Sequence, residues 1–327
     1  MAYSAEIVRR ARQKLAQRKA DRESECREHL HSAYKQVPRL AEIDRLLRSS
    51  MALAAQAVFT EGGDAALAME QVKAANLALQ QERRELIASN FPAGYLDETP
   101  VCATCGGAGY VGSHMCRCLT ELCRQEQLEQ LKTLTTGAER FDAFRLDWYP
   151  DRVDSNIGAS PRAIMERNFK RAQQYAANFG TGENLLFVGG TGLGKTFLSA
   201  CVANAVADKG FSVAYESAPH LFGKLEKARF SPDENSASEV AQLSACDLLI
   251  IDDLGTELPG SFVTAALYAL VNDRLLAGKS MLISTNLNID EIARRYSPQI
   301  ASRLQGDFRM LVFVGDDIRV LKNRGAK

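Results

Sequence analysis

The stretch GGTGLGKT, from Gly189 to Thr196, decides the fold of this 327-residue chain. It matches the pattern G-x-x-x-x-G-K-[ST], and the apolar run NLLFVG before it predicts a strand, while TFLSACVANAVADKG after it predicts a helix. Glycines allow backbone amides to turn inward around a phosphate, and the helix N-terminus adds a partial positive charge. The sequence therefore predicts a nucleotide-phosphate site made by Gly189, Gly190, Thr191, Gly192, Leu193, Gly194, Lys195 and Thr196.

A second apolar run, DLLIIDD, ends in Asp252 and Asp253 and predicts a buried strand. Ligands of parallel sheets gather at the carboxyl ends of strands, so these acids are expected beside the phosphate loop. The site would take ATP and Mg²⁺: Lys195 would reach the β and γ phosphates, while Thr196 and Asp252 would hold the metal. Asp253 is placed to orient the attacking water. The alternative is that the two acids only cap the strand.

Three further apolar runs, FSVAYES, SMLISTN and MLVFVG, alternate with stretches of helical composition. Such alternation is typical of a parallel sheet with crossover helices, so the second half of the chain is predicted to be α/β. Asn286, at the end of SMLISTN, is expected between the γ-phosphate and the second acid. Aspartate is one methylene shorter than glutamate, so Asp253 would hold a water less directly, with Glu257 as a second candidate.

Composition limits the class of protein. Hydrophobic residues make up 46% of the chain, and forty basic residues balance forty acidic ones. No apolar run approaches the ~20 residues that span a bilayer, and the charged start lacks the apolar centre of a signal peptide. We therefore expect a cytoplasmic protein with no membrane contact. With zero net charge, nucleic-acid binding would need a local basic patch or the assembly of several subunits.

Five of the eight cysteines lie between Cys102 and Cys123. In a cytoplasmic protein this clustering favours a metal site over disulfides, and four thiolates can close a tetrahedral Zn²⁺ site with a structural role. His114 and Cys123 are alternative ligands, and free or redox-active cysteines and an iron–sulfur cluster are alternative interpretations. The predicted zinc ligands are Cys102, Cys105, Cys116 and Cys118.

Composition also divides the chain. Residues 1–95 are rich in helix-forming residues, with breaks expected at Pro38 and at Gly62-Gly63, and the stretch from Met69 onward suggests a short amphipathic hairpin. A basic, solvated helix surface and a partner-binding surface both fit the residues 1–35. The predicted domains are a helical partner-binding region at 1–95, a zinc module at 96–135, a linker at 136–160 and an ATPase core at 161–327.

The order of phosphate loop, acidic strand, polar-tipped strand and arginines resembles AAA+ ATPases. Within them, GGTGLGKT, LLIIDDLGTE, ASRL, DDIRVLK, FDAFRLDWY and the cysteine cluster resemble bacterial replicative helicase loaders of the DnaC/DnaI type, which are related to IstB-like transposition ATPases. Twelve residues follow Gly315 at the end of the last predicted strand, so we expect a core without a C-terminal helical lid, which favours this branch over other AAA+ proteins. The resemblance also implies a second-sensor arginine at Arg319 and an intersubunit arginine at Arg303. A local salt bridge with Asp290 or Glu291 is the alternative role for Arg303.

The same resemblance implies the function. A loader delivers the replicative hexameric DNA helicase onto single-stranded DNA, with the ATP state as a switch, and assembles as a homo-oligomer when it binds ATP, DNA or helicase. The main alternative is an IstB-like ATPase that serves a transposase. A small-molecule kinase and a zinc protein with a vestigial ATPase are further alternatives. A solvated helix face competes with DNA binding at the candidate DNA contacts, which are Lys224, Lys227, Arg229, Phe230 and Phe262.

Overall fold

The computed structural model describes residues 3–59, 65–134, 139–155, 158–231 and 233–325. They form two compact units, one of residues 14–116 and one of residues 1–13 with 117–327. Gly62 and Gly63, where the sequence predicts a break, lie outside the described residues. The predicted domain boundaries at residues 95, 135 and 160 stay predictions. No helix in the described ranges combines the length and the apolar character needed to cross a bilayer.

Three helices make up most of the first unit: α1 (Ala5–Gln36), of which residues 14–36 belong to this unit, α2 (Pro38–Phe59) and α3 (Ala65–Asn90). The break between α1 and α2 falls beside Pro38, as expected from its missing N–H group. The stretch from Met69 onward is part of one continuous helix, α3, which packs against α2, so the helical hairpin is formed by α2 and α3 together. Two ion pairs join them, Arg39 with Glu82 at 2.8 Å and Arg83 with Asp44 at 2.7 Å. The short strands β1 (Tyr110–Val111) and β2 (His114–Met115) then form a hairpin.

The second unit is built on one parallel sheet of five strands in the order β4-β5-β6-β3-β7. This confirms the predicted α/β class. All five predicted apolar runs form strands, and two of the three central strands are buried along their whole length, as expected when helices cover both faces. The strands are β3 (Leu185–Val188), β4 (Val213–Ser217), β5 (Leu248–Leu254), β6 (Ser280–Thr285) and β7 (Arg309–Val312).

Helices cover both faces of this sheet and enclose two apolar cores. One core includes Phe187, Leu198 and Tyr215, and the other includes Ile251, Leu267 and Ile283. After β7, the described residues contain one short helix. The helices of this unit are α4 (Arg117–Leu134), α5 (Pro161–Ala177), α6 (Lys195–Asp208), α7 (Ala218–Phe230), α8 (Glu234–Ala245), α9 (Ser261–Leu276), α10 (Ile289–Arg295), α11 (Pro298–Asp307) and α12 (Ile318–Gly325).

Strand order determines where the polar residues meet. Strands β5, β6 and β3 are neighbours, and each ends at the same edge of the sheet because all run parallel. The phosphate loop follows β3, the two aspartates lie near the end of β5, and Asn286 follows β6. Three sequence-distant motifs therefore come together at one edge.

Candidate nucleotide site and cysteine cluster

The phosphate loop joins β3 to α6 and lines a cavity of about 550 Å³. This volume lies within the roughly 300–1,000 Å³ that small-molecule sites occupy. Gly194 precedes α6 with φ 85°, a left-handed conformation that glycine adopts at no steric cost. A Cβ atom at Gly194 would lie 2.9 Å from the Tyr149 hydroxyl, so the close approach also requires glycine. The loop therefore has the backbone conformation and the space that a phosphate cradle needs.

Lys195 is 4% exposed, and its ammonium group is fully hydrogen-bonded within the protein. It donates to the carbonyl oxygens of Gly189 at 2.8 Å and Gly190 at 2.6 Å, and to Oδ1 of Asn286 at 2.7 Å. Burial lowers the pKa of Lys195, while Asp253 and Asp252 act in the opposite direction. The structure thus brings together the lysine and the strand-tip asparagine that the sequence predicts.

Asp252 and Asp253 lie at an irregularity of the β5–β6 pairing, between Ile251 and Leu254. Asp253 has φ 54°, the only positive φ of a non-glycine residue within the described ranges. Its carboxyl group faces the cavity, and burial together with the neighbouring Asp252 raises its pKa. Asp252 is 5% exposed and accepts hydrogen bonds from the hydroxyls of Tyr215 and Ser284. The two acids therefore have different environments. Asp253 faces the cavity, whereas Asp252 is hydrogen-bonded to two hydroxyl groups.

Sequence reasoning missed Tyr215 and Ser284, because both lie inside strands that read as apolar. Burial raises the pKa of Tyr215 far above its usual value, and the nearby Asp252 adds to the shift. In the sequence, the one indication of their role is that each places a hydroxyl group in an otherwise apolar run.

The carboxylate of Glu257 is buried and bonded to other groups of the protein. It is 4% exposed, accepts from the Gly255 N–H at 2.9 Å and from the Tyr296 hydroxyl, and forms an ion pair with Arg295 at 3.4 Å. It does not line the cavity, whereas Asp253 does. The geometry favours Asp253 over Glu257 as the residue that would orient a water.

An aromatic segment within the predicted linker also lines the cavity. The Tyr149 hydroxyl donates to the Leu193 carbonyl oxygen at 2.9 Å, and Phe144 stacks near Tyr149 with ring centroids 6.1 Å apart. Arg145 lies over the Trp148 ring at 5.0 Å. Apolar rings beside a phosphate loop suit a nucleobase, so this segment extends the site beyond the phosphates.

Helix α12 contributes Arg319, as well as Ile318 and Lys322, to the cavity lining. The Ile318 N–H donates to the Gly192 carbonyl oxygen at 3.0 Å, and a Cβ atom at Gly192 would overlap Asp317. The predicted second-sensor arginine is therefore placed at the cavity by a helix that is anchored to the phosphate loop.

Arg303 lies on α11, away from this cavity. Its guanidinium group donates to Oδ1 of Asn272 at 3.1 Å and pairs with Asp307 at 3.6 Å. The observed partners therefore differ from Asp290 and Glu291, the salt-bridge partners that the sequence suggests. Its side chain is 44% exposed, so it is available on the surface.

The DNA candidates separate into two sets. Lys224 pairs with Glu216 at 2.7 Å, and Lys227 pairs with Asp233 at 3.0 Å. The remaining three form a cluster in which Arg229 and Phe230 are exposed and Phe262 is half-buried, and the Phe230 and Phe262 ring centroids lie 5.7 Å apart. The Arg229 guanidinium lies 5.6 Å and 5.7 Å from these two rings.

The sulfur atoms of Cys102, Cys105, Cys116 and Cys118 all lie within 4.8 Å of one another. The Cys102 and Cys116 sulfurs are 3.8 Å apart, which is too far for a disulfide but close to the ~3.8 Å edge of a tetrahedron with Zn–S of about 2.3 Å. A tight turn supports the site, because the Gly109 N–H donates to the Cys105 sulfur at 3.3 Å. The cluster fits a structural zinc ion. Neither alternative ligand, His114 or Cys123, belongs to it.

Comparison with known proteins identifies the domain. Residues 170–302 match the family model "IstB-like ATP binding protein". The chain is 23% identical over 151 residues to the replicative helicase loader DnaC of Escherichia coli (strain K12), covering 46% of this chain and 62% of the loader. It is 33% identical over 105 residues to an insertion sequence ATP-binding protein of Sinorhizobium fredii, covering 32% of this chain and 34% of that protein.

A crystal structure of the DnaC helicase loader matches with a TM-score of 0.46 and 20% identity, covering 54% of this chain and 97% of that one. The chain spans less than two thirds of the length of both curated relatives. Residues 170–302 are thus similar to IstB-like ATP-binding proteins, and parts of the chain are similar to helicase loaders and to insertion-sequence ATP-binding proteins, as the resemblance predicts.

Proposed function

We propose that this protein is an ATPase that loads a replicative hexameric DNA helicase onto single-stranded DNA, with ATP and Mg²⁺ setting its affinity for both partners. The observation that carries the proposal is the meeting of Lys195, Asp252, Asp253 and Asn286 at the ends of three adjacent strands. In this site Lys195 would neutralise phosphate charge, Thr196 and Asp252 would hold the metal, and Asp253 would orient water.

The part of the chain outside the matched domain favours a loader over a transposition ATPase. Residues 1–95 would be the partner-binding region, and the cysteine cluster would hold zinc in the module that follows. The helical hairpin exposes the apolar side chains of Leu46 (46%) and Leu77 (54%), which would be buried by a partner protein. The IstB-like function remains the second candidate, because the insertion-sequence relative matches at higher identity.

Single-stranded DNA would bind at the cluster of Arg229, Phe230 and Phe262. Aromatic rings stack on bases without sequence preference, and an arginine neutralises phosphate. Lys224 and Lys227 are already paired with acids, so we assign them a smaller share. Arg303 would reach the nucleotide of a neighbouring subunit in a homo-oligomer, since it is exposed and lies away from the cavity of its own chain.

Capture experiments with the full-length protein test the main choice. The immobilised protein should retain the replicative helicase of its own cell and not a transposase of the IS21 type. The double variant Leu46→Asp and Leu77→Asp should lose this capture, while Val153→Asp, at an exposed apolar residue of the other unit, should keep it. Retention of the transposase alone would overturn the loader assignment in favour of the IstB-like one.

A further inference from the structure

Two buried hydroxyl groups donate hydrogen bonds to the carboxylate of Asp252. The Tyr215 hydroxyl donates to Oδ2 at 2.9 Å, and the Ser284 hydroxyl donates to Oδ1. Exposed fractions are 8% for Tyr215, 5% for Asp252 and 0% for Ser284, so water does not compete strongly for these bonds. Hydrogen bonds to an ionised group are roughly twice as strong as those between neutral groups.

The direction of the Ser284 bond is determined by its second partner. The Asp253 N–H donates to Oγ of Ser284 at 2.9 Å, so the single hydroxyl proton of Ser284 is left for Asp252. The same hydroxyl thus contacts both aspartates, at the point where the β5–β6 pairing is irregular. Ser284 couples the left-handed backbone of Asp253 to the orientation of the Asp252 carboxylate.

Tyr215 connects Asp252 to the phosphate-loop helix. Its hydroxyl lies 3.5 Å from the Thr196 carbonyl oxygen, compared with 2.9 Å from Asp252. A phenol has one proton, and the closer, charged acceptor takes it. The ring is carried by β4, which pairs in parallel with β5 and is fixed at its outer edge by Gln127, whose Oε1 accepts from the Val213 N–H at 2.9 Å.

From this arrangement we propose that Tyr215 is a positioning residue, which together with Ser284 orients the Asp252 carboxylate toward a divalent cation that binds with the nucleotide. An ionised carboxylate has about four acceptor positions, and the two hydroxyls occupy one on each oxygen. The positions left over are the ones that a metal ion, or a water bound to it, would use. The same hydroxyl lies 3.5 Å from the Thr196 carbonyl oxygen, so Tyr215 is next to both residues that would hold the metal. This inference rests on the proposed nucleotide function.

The test is Tyr215→Phe, which removes one oxygen atom and keeps the ring. We expect Mn²⁺, used as the probe cation and measured by electron paramagnetic resonance in the presence of ADP, to bind about tenfold more weakly to the variant. Affinity for a fluorescent ATP analogue measured in EDTA should stay within about twofold, since the phosphate loop is intact. Tyr175→Phe is the matched control: Tyr175 is a 4% exposed tyrosine in the same apolar core, where no acid depends on it.

Ser284→Ala provides an independent arm if Tyr215→Phe folds poorly, and it should weaken Mn²⁺ binding in the same direction. Wild-type Mn²⁺ affinity in both variants, with nucleotide binding intact, would show that the hydroxyls serve only the fold and would overturn the proposal. A wild-type protein that binds no nucleotide would instead overturn the proposed function, and the positioning role with it. The two failures are therefore distinguishable.

Discussion

The ammonium group of Lys195 donates a hydrogen bond to Oδ1 of Asn286 at 2.7 Å, joining the phosphate loop to the end of β6. Two loop carbonyl oxygens accept its other two protons. All three donor positions are thus occupied by the protein, so a triphosphate must replace some of these bonds when it binds. The exchange links the nucleotide to the strand that also carries Ser284.

Lys195→Ala should weaken binding of ATP by at least about tenfold, because a charge-assisted phosphate contact is lost. Titration with a fluorescent ATP analogue measures this, and circular dichroism should show an unchanged fold. Lys170→Ala, which removes an exposed lysine paired with Glu166, is the control and should bind normally. Unchanged affinity in Lys195→Ala would contradict the phosphate-loop assignment.

Asp253 and Glu257 should respond differently to loss of charge. Asp253→Asn should keep ATP binding and lower the hydrolysis rate by about a hundredfold or more, as expected for a residue that orients water. Glu257→Gln should hydrolyse ATP at a near-normal rate but unfold at lower temperature, because it weakens buried bonds worth about 1–3 kcal/mol. Steady-state hydrolysis and thermal unfolding measure the two effects. If Glu257→Gln lost hydrolysis and Asp253→Asn kept it, Glu257 would be the residue that orients the attacking water.

Metal removal should expose one defined set of thiols. We expect one zinc ion per chain, and treatment with a chelator should make Cys102, Cys105, Cys116 and Cys118 open to alkylation. Burial raises the pKa of Cys123 to about 11 and of Cys201 to about 12, so at neutral pH both should stay unlabelled in the folded protein. Mass spectrometry of the alkylated peptides measures the labelling of the four clustered cysteines and of Cys123 and Cys201. Alkylation of the four cysteines to the same extent before and after chelation would argue against a bound metal.

The sequence predicts the nucleotide site well because each part of it is local. Strands buried on both faces read as uninterrupted apolar runs, and the residues that follow them become neighbours through the parallel order of β5, β6 and β3. The contacts to Asp252 could not be predicted in this way. Tyr215 and Ser284 approach it from two different strands, and their roles depend on the pairing register and on the direction of each side chain.

The contacts of two surface side chains, Arg303 and Lys227, also could not be predicted from the sequence. The sequence offers Asp290 and Glu291 as nearby partners for Arg303, but its side chain contacts Asn272 and Asp307. Lys227 is a DNA candidate in the sequence because it is a basic residue close to Phe230, whereas its ion pair with Asp233 is visible only in three dimensions. Motifs determine which residues meet at the site, while the partners of a long, flexible side chain depend on the packed surface around it.

The aromatic cluster on α7 and α9 should carry more of the DNA affinity than the paired lysine. Phe230→Ala combined with Phe262→Ala should weaken binding of a single-stranded oligonucleotide by about 1–3 kcal/mol for each base that loses a stacking partner. Lys227→Ala should change the affinity little, because Asp233 already neutralises this lysine. Fluorescence anisotropy at moderate salt measures both. Equal losses in the two variants would indicate general electrostatic attraction and no stacking surface.

We expect Arg303 to act on the nucleotide of a neighbouring subunit. Its contacts with Asn272 and Asp307 are both at the surface, so leaving them costs little. At a neighbour's γ-phosphate, a fixed guanidinium would stabilise transition-state charge. Arg303→Ala should therefore bind ATP normally and hydrolyse it poorly, even with single-stranded DNA present.

Mixing two inactive proteins separates this role from a local one. A Lys195→Ala chain binds ATP weakly but still offers its Arg303 to a neighbour, whereas an Arg303→Ala chain binds ATP and lacks the arginine. Their mixture should regain part of the wild-type hydrolysis rate, because some neighbours then combine an intact nucleotide site with an intact arginine. Arg309→Ala, which removes an exposed arginine paired with Glu183, should hydrolyse ATP normally by itself. Mixed chains that co-assemble and stay inactive would restrict Arg303 to its contacts on α9 and α11.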